Sequence, residues 1–357
     1  MAQPFRDGPY VVSGGRVADG FDSTIVAVEA DDERVGWGEM APLGAFYDPA
    51  FAAGARAAIA ELAPALIGED PLQAGRLNWR MDVLLKGHPY AKSALDMACW
   101  DLAGKAAGRG LCELLGGRYG RGTALYRSIS QGAPEAMARR ALAYRDQGYR
   151  RLQVKVGGEP EEDVERLAAV AAAVGGDVTL FADANGGWTV EQARRFLRLT
   201  RAFAYTLEQP CASYDECRRL RGQCDRPLVL DESLDDLGVL VRAATEGTAD
   251  GVTLKIARIG GVTKTRLLRD VAVGLGLAVT VEDTGGAEID TAAMAHLSIS
   301  TPEPFRLHTV DFHNWVTVSN ATPAPVCADG LLLPPDGPGL GVVALDAALG
   351  PPFHESG

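Results

Sequence analysis

The stretch "DVTLFADANGGW", residues 177–188, begins with an apolar run typical of a buried strand. Two polar residues, Asp183 and Asn185, stand where that run should continue. An acidic group at the end of a core strand is costly to bury unless its charge is compensated. The pattern recurs, because successive apolar runs end in an ionisable residue at intervals of 23 to 28 positions. These residues are Lys155, Asp183, Glu208, Asp231, Lys255 and Glu282, which Asp283 follows directly. The period indicates a repeated strand–helix unit.

From Ala124 onward, short apolar runs alternate with amphipathic segments. Eight runs suit strands: "ALYRSIS", "RLQVKVG", "VTLFADAN", "AYTLEQP", "PLVLDES", "GVTLKIA", "AVTVED" and "FRLHTV". Segments between them, such as "PEEDVERLAAVAAAV", carry apolar residues at helical spacing and suit crossover helices. We therefore predict an α/β fold, a (β/α)8-type barrel of the modified TIM-barrel kind, over residues 121–325.

Residues 1–120 follow a different pattern, which predicts an α+β capping domain. "GFDSTIVAVEADDERVGWGEM" gives two alternating strands joined by a polar turn, as in a β-hairpin. "PAFAAGARAAIAELAPALIG" and "AKSALDMACWDLAGKAAG" have helical spacing, and each ends near glycine. We predict that residues 326–357 return to this capping domain.

Composition excludes several classes of partner. The formal net charge of −12 argues against nucleic acid and anionic membranes, which need a basic face. No apolar run reaches about 18 residues, so no membrane span is predicted. The N-terminus lacks a signal-peptide pattern, and the six cysteines show no metal-binding or disulfide spacing. We expect a cytoplasmic, homo-oligomeric protein with reduced thiols that acts on a small molecule.

The three acids Asp183, Glu208 and Asp231 predict a metal site. They end consecutive strands, and in a parallel barrel those ends open onto one face. Carboxylates so close together would take up protons unless a cation balanced them. Carboxylate oxygens with positions left for water or substrate suit Mg²⁺. The alternative is that each acid pairs with a lysine or caps the following helix.

Lys155 and Lys255 flank this acidic group in strand order and are half a barrel apart. Their ammonium groups would therefore approach a bound substrate from opposite sides. A nearby dication lowers the pKa of a lysine, so that one of the two can act as a base near neutral pH. The alternative is that both lysines only neutralise the acids.

At this point the sequence resembles a known family. "VKVGG", "ADANGGW", "LEQP", "LDES" and "LKIARIGG" resemble the motifs of the enolase superfamily, in its muconate lactonizing enzyme and mandelate racemase branches. "GWGEMAPLG", "AKSALDMACWDLAGK" and "LLGG" resemble the capping domain, so the resemblance covers nearly the whole chain. It implies abstraction of the α-proton of a carboxylate substrate through an enediolate. The implied Mg²⁺ ligands are Asp183, Glu208 and Asp231, and the implied acid/base catalysts are Lys155 and Lys255.

One position departs from the family pattern. The lysine branch often has Lys-x-Lys on the second barrel strand, whereas Gln153 stands at the first of these positions here. Lys155 thus lacks a positive neighbour that would depress its pKa, although its role as a base can survive.

Further stretches narrow the implied substrate. "FDSTIVAVEADD", "YDPAFAAGARAAI" and "VEDTGG" resemble the branch that contains cis-3-hydroxy-L-proline dehydratases and hydroxyproline betaine 2-epimerases. A proline-like acid carries a ring ammonium, which Glu282 or Asp283 could pair with, and Trp315 or Tyr47 could offer an aromatic face. Trp315 could equally be a packed loop residue. Because neighbours on a strand point to opposite faces, we expect only one of the two acids to reach the pocket.

We expect dehydration of cis-3-hydroxy-L-proline. "EDTGG" offers a small acidic wall suited to a free secondary ammonium, without a tryptophan for a bulky quaternary one. Three alternatives stay open within the superfamily: racemisation or epimerisation of hydroxyproline betaine, of N-acylamino acids or of dipeptides. A protein that binds metal and a small acid without turnover is an alternative of another class.

Overall fold

The N-terminal part of the chain consists of antiparallel strand pairs packed against helices, in a computed structural model that describes residues 1–356. Its strands are β1 (Ala2–Pro4), β2 (Tyr10–Val12), β3 (Arg16–Ala18), β4 (Gly20–Asp22), β5 (Thr24–Glu29) and β6 (Val35–Met40). Its helices are α1 (Ala52–Leu62), α2 (Ala74–Leu84), α3 (Pro89–Ala107) and α4 (Leu111–Leu114). β5 and β6 form the predicted antiparallel hairpin, with Thr24 opposite Met40 and Glu29 opposite Val35.

Two glycines explain how closely this hairpin packs on α3. A Cβ added at Gly36 or Gly38 would lie 2.1 or 1.9 Å from the carbonyl oxygen of Ala98 or Ala94 on α3. Only glycine leaves the backbone room at such positions. The close packing fixes the end of β6, from which the chain continues towards the barrel.

A parallel sheet follows, and its strands are neighbours in chain order. After β7 (Thr123–Ala124), the strands are β8 (Tyr126–Ile129), β9 (Arg151–Lys155), β10 (Thr179–Asp183), β11 (Thr206–Glu208), β12 (Leu228–Leu230), β13 (Gly251–Lys255) and β14 (Ala278–Glu282). The helices between and after them are α5 (Pro134–Asp146), α6 (Pro160–Val174), α7 (Val190–Leu199), α8 (Tyr214–Arg221), α9 (Leu237–Thr245), α10 (Ile256–Ile259), α11 (Val262–Gly274) and α12 (Glu288–Ile299). None of the helices in residues 1–356 is long and apolar enough to cross a bilayer.

The eighth predicted strand, "FRLHTV", closes the sheet into a barrel through isolated bridges. The N–H of Leu307 donates to the carbonyl of Val279 on β14 over 2.8 Å. On the other side, the N–H of Tyr126 on β8 donates to the carbonyl of Thr309 over 3.0 Å. A short 3-10 turn, Phe312–Asn314, follows in place of an eighth crossover helix. The predicted modified TIM barrel with an α+β capping domain is confirmed.

The last part of the chain adds short strands at the edge of this barrel. They are β15 (Ala321–Thr322), β16 (Val326–Ala328), β17 (Leu331–Leu333) and β18 (Val343–Ala344), and α13 (Asp346–Leu349) follows. β17 pairs with β7. The N–H of Leu111 donates to the carbonyl of Gly339 over 2.8 Å, and the N–H of Leu340 donates to Asp101 on α3 over 2.7 Å. The domain bounds at residues 120 and 325 stay predictions.

Candidate active site

The ionisable residues at the strand ends stand at one level of the barrel. Asp183 is in register with Lys155 on β9 and with Glu208 on β11, and Lys255 is in register with Glu282 on β14. Residues in register on neighbouring parallel strands present their side chains on the same face. These groups therefore converge at the carboxyl end of the barrel, where enzymes of this fold have their active sites.

Eight of the nine predicted site residues border one pocket at this end. They are Tyr47, Lys155, Asp183, Asp231, Lys255, Glu282, Asp283 and Trp315. The space between these residues is about 440 Å³, which includes open solvent at the mouth of the pocket. Glu208 does not border the pocket and is buried beside these groups, with 1% of its surface exposed.

Both lysines form ion pairs with the acids. The Lys155 ammonium contacts Asp183, and the Lys255 ammonium donates to Asp231 over 2.6 Å and lies 2.9 Å from Glu282. Burial alone would lower the pKa of each lysine, but the adjacent carboxylates outweigh it and raise both pKa values. Both lysines are therefore ammonium ions here. These are the ion pairs that the neutralisation alternative requires.

The three acids differ in how their charges are compensated. Burial, followed by the charges of Asp183 and Asp231, raises the pKa of Glu208 well above its ordinary value. Burial would also raise the pKa of Asp231, but Lys255 and Arg258 outweigh it and lower that pKa. Glu208 is thus the acid whose charge has least compensation.

The donor chemistry of this group fits Mg²⁺. Among residues 1–356, no three acidic, histidine or cysteine side chains stand in an arrangement ready for a metal. The acids are nevertheless buried hard oxygen donors, and their mutual repulsion is what a dication would relieve. Two more buried oxygens nearby, Asn185 Oδ1 and Glu232 Oε2, find no hydrogen-bond donor within the described residues. The ion pairs of Asp183 and Asp231 occupy the oxygens that such a cation would use.

Gln153 takes part in this acidic group. Its amide donates to Glu208 Oε2 over 2.8 Å, and the Thr253 hydroxyl donates to Glu208 Oε1 over 3.1 Å. Where the lysine branch often places a cation, this chain therefore orients Glu208 with a neutral donor.

Both seventh-strand acids border the pocket, which corrects the expectation that only one would reach it. Glu282 ends β14 and accepts a hydrogen bond of 2.7 Å from Tyr126 Oη. Asp283 lies beyond the strand, where regular alternation no longer applies. Its carboxylate accepts the N–H groups of Ala257 over 2.9 Å and Thr284 over 2.8 Å. Glu282 thus faces Lys255, whereas the Asp283 carboxylate is held by the main chain.

Tyr47 reaches the pocket from the loop after β6. Its hydroxyl accepts from Lys255 over 2.8 Å and donates to Asp231 over 3.0 Å. The next residue, Asp48, anchors the loop, because it accepts hydrogen bonds from Arg258 over 2.7 Å and from Tyr90 over 2.5 Å. Arg258 also donates to Asp231 over 2.6 Å. One guanidinium therefore links the capping loop to a predicted metal ligand.

Trp315 borders the pocket and is also a packed residue, with 8% of its surface exposed. The Arg127 guanidinium lies 4.5 Å from its ring centroid, and Phe312 and Tyr10 contact it edge-on. Arg127 occupies one face of the indole, so that face is closed to a substrate cation. Its Nε1–H finds no acceptor among residues 1–356.

The sequence prediction missed two tyrosines of the pocket wall. Tyr126 is on β8, and Tyr10 is on β2 with its ring centroid 5.8 Å from the Lys155 ammonium. Each stands in a short apolar run that reads as core, and nothing in the sequence distinguishes them from other buried tyrosines.

Family profiles match both parts of the chain. The profile "Enolase C-terminal domain-like" matches residues 136–348, and the profile "Mandelate racemase / muconate lactonizing enzyme, N-terminal domain" matches residues 3–116. The chain belongs to the enolase superfamily. Within this superfamily it is a member of the mandelate racemase/muconate lactonizing enzyme branch, as its motifs predict.

Named relatives of this enolase-superfamily chain are enzymes. It is 44% identical to cis-3-hydroxy-L-proline dehydratase of Roseibium aggregatum, over 98% of this chain and 95% of that protein. It is 30% identical to N-succinyl-L-Arg/Lys racemase of Bacillus cereus, over 83% of this chain and 81% of that protein. The crystal structure of an enolase-superfamily member from Roseovarius nubinhibens ISM complexed with magnesium matches with a TM-score of 0.93 and 38% identity, over 99% of this chain and 96% of that one. The chain is therefore an enzyme of this superfamily.

Proposed function

We propose that the chain dehydrates cis-3-hydroxy-L-proline, beginning with abstraction of the α-proton. The observation that carries this proposal is the placement of Lys155 and Lys255, which both border the pocket and end strands β9 and β13. Four steps of an eight-membered barrel separate these strands, so the two side chains enter the pocket from opposite sides. The 44% identity to a dehydratase of this substrate, over nearly the full length of both chains, supports the choice of substrate.

The stereochemistry of the substrate suits two opposed lysines. In cis-3-hydroxy-L-proline the carboxylate and the hydroxyl share one ring face, so the α-hydrogen and the hydroxyl lie on opposite faces. One lysine, as the free amine, takes the α-proton, and the other, as ammonium, protonates the departing hydroxyl. One water leaves, and the unsaturated ring that remains tautomerises to a cyclic imine.

We assign the three acids Asp183, Glu208 and Asp231 to Mg²⁺. When bound, the ion stabilises the negative charge that develops on the substrate carboxylate. With Asp183 and Asp231 committed to the cation, each lysine loses the carboxylate that raises its pKa most, so one of them can become a free amine. Gln153 and Thr253 keep Glu208 oriented, as their hydrogen bonds indicate.

Glu282 is the group that we assign to the ring ammonium of the substrate. It is a buried carboxylate at the pocket, and Tyr126 fixes its orientation. A small pocket with an acidic wall suits a five-membered ring with a free ammonium better than an N-succinylated side chain. The absence of nucleic-acid and membrane partners, the cytoplasmic location and the homo-oligomeric state stay predictions from the sequence.

Epimerisation at C2 would use the same two lysines, because the opposite lysine could return a proton to the other face. The relationship to the racemase of Bacillus cereus favours keeping this second candidate. The test is a panel of cis-3-hydroxy-L-proline, hydroxyproline betaine and N-succinylated amino acids, each incubated with enzyme and Mg²⁺ and followed by NMR. We expect water loss and imine formation from cis-3-hydroxy-L-proline. Epimer without imine would favour the epimerase, reaction of only the succinylated acids would favour a racemase, and no α-proton exchange with any of them would indicate a binding protein.

A further inference from the structure

Asp290 on α12 is a buried acid that the proposed reaction does not use. It is 0% exposed, and within residues 1–356 no N–H or O–H group donates to either of its carboxylate oxygens. It packs against Gly286, where an added Cβ would lie 2.5 Å from the Asp290 Cβ. An ionised carboxylate in this place would lose its hydration without compensation.

The carboxyl groups of Asp283 and Asp290 lie close enough together for each to shift the pKa of the other. Two main-chain N–H groups, those of Ala257 and Thr284, already donate to Asp283. Donors of this kind stabilise the charged form of a carboxylate. A hydrogen bond between two carboxyl groups needs one proton, and the acid without other donors is the one that holds it.

A third buried acid, Glu39 on β6, is excluded as the holder of this proton. Its oxygens accept hydrogen bonds from four donors: Gln3 Nε2 at 2.9 Å, Ser23 Oγ at 2.6 Å, and the N–H groups of Ala287 and Asp290, each at 3.0 Å. Glu39 is therefore a fully bonded carboxylate, and its charge disfavours a second charge on α12.

The charges around Asp290 and Asp283 come from several elements. Burial, then the charges of Asp283 and Glu39, raises the pKa of Asp290 well above its ordinary value. Burial raises the pKa of Asp283 to about 7 against the opposing effects of its main-chain donors, of Asp290 and of Lys255 on β13. Tyr90 on α3 also faces Asp283. Burial, then the charge of Asp48 and, less strongly, the charge of Asp283 raise the pKa of Tyr90.

We propose that Asp290 is a positioning residue: as a neutral acid it donates a hydrogen bond to Asp283, which through the Ala257 N–H fixes the turn after Lys255. Ala257 is two residues beyond Lys255, at the start of α10. The proton thus links the seventh-strand turn to the end of the sixth strand. The consequence for turnover rests on the role proposed for Lys255, whereas the proton itself does not.

The pH dependence of the stability of Asp290→Asn tests whether Asp290 is protonated in the folded protein. A carboxyl with a raised pKa in the folded state costs stability as pH rises above its unfolded value near 4, because the unfolded chain releases the proton first. Asn removes this cost and keeps a donor. The Tm advantage of the variant over the wild type should therefore grow by roughly 2 °C for each pH unit between pH 5 and 8. The control is Asp177→Asn at an exposed position, whose Tm difference should stay constant. A Tm difference for Asp290→Asn that is equally constant would overturn the proposal.

The positioning role is tested by comparing Asp290→Asn with Asp290→Leu, which has no donor. We expect Asp290→Asn to keep nearly the wild-type kcat, and folded Asp290→Leu to lose roughly tenfold or more in kcat with little change in KM. If the substrate proves to be a carboxylic acid other than cis-3-hydroxy-L-proline, the two variants are compared on that substrate. The proposal on the substrate and the proposal on Asp290 can therefore fail independently. A wild-type kcat in Asp290→Leu, or an equal loss in both variants, would refute the positioning role. If Asp290→Leu does not fold, kcat of Asp290→Asn decides, and a tenfold loss there would refute it.

Discussion

Glu282→Gln should separate ligands by the charge of their ring nitrogen. The substitution removes the negative charge that we assign to the substrate ammonium and nearly keeps the size of the side chain. Glu282 is 3% exposed, so its pairing with a bound ammonium would be shielded from water. Loss of one partner of a buried charge pair costs about 2 to 5 kcal/mol. That corresponds to a roughly 30- to 4,000-fold loss of affinity.

Direct binding is the right assay, because Glu282 also lies 2.9 Å from the Lys255 ammonium and its loss will reduce turnover in general. Calorimetry in the presence of Mg²⁺ would compare L-proline with tetrahydrofuran-2-carboxylate, in which oxygen replaces the ring nitrogen. We expect L-proline to lose affinity by the factor given above and the neutral ring to bind almost as before. Asp283→Asn is the matched control, because the main chain holds its carboxylate, and it should affect both ligands alike. An equal loss for both ligands in Glu282→Gln would refute the assignment.

The metal and the lysines give two further predictions. Mg²⁺ binding in calorimetry should weaken, and turnover should be abolished, in each of the variants Asp183→Asn, Glu208→Gln and Asp231→Asn. EDTA should abolish the activity of the wild type. Full activity in EDTA would exclude a metal requirement. Lys155→Ala and Lys255→Ala should each slow dehydration by about 10² to 10⁴-fold, and the variant that retains the base should still exchange the substrate α-proton with deuterium. An unchanged dehydration rate in either variant would remove that lysine from the mechanism.

The placement of the strand-end residues could be predicted because these residues recur at a regular interval of 23 to 28 positions along the chain. A charged side chain after each apolar run marks the carboxyl end of each strand, and parallel connections bring those ends to one face. The family resemblance and the barrel are confirmed by the family profiles and by the sheet order. The roles of the lysines and acids stay predictions, since the ion pairs of Lys155 and Lys255 are compatible with both explanations.

Contacts between residues far apart in the chain could not be predicted. Tyr126 donates a hydrogen bond to Glu282, which lies 156 positions later in the chain. From the sequence, a tyrosine in an apolar run is expected only to be a core residue. Asp290 stands in the first turn of α12, where an acid usually indicates a solvated helix start that favours negative charge. Its burial depends on how the "DTGG" turn and β6 pack around it, which no local pattern records. We expected only one of Glu282 and Asp283 to reach the pocket, but Asp283 borders it too, because β14 and its alternation of side chains end at Glu282.

The most direct test of the opposed lysines compares cis-3-hydroxy-L-proline with its trans isomer, incubated with enzyme and Mg²⁺ and followed by NMR. In the trans isomer the α-hydrogen and the hydroxyl lie on the same ring face, so a base and an acid on opposite sides cannot serve both groups. The account predicts conversion of the cis isomer to the cyclic imine, and loss of water from the trans isomer at least roughly 100-fold slower. Equal rates of water loss from the two isomers, or a cis isomer that keeps its α-hydrogen, would contradict it.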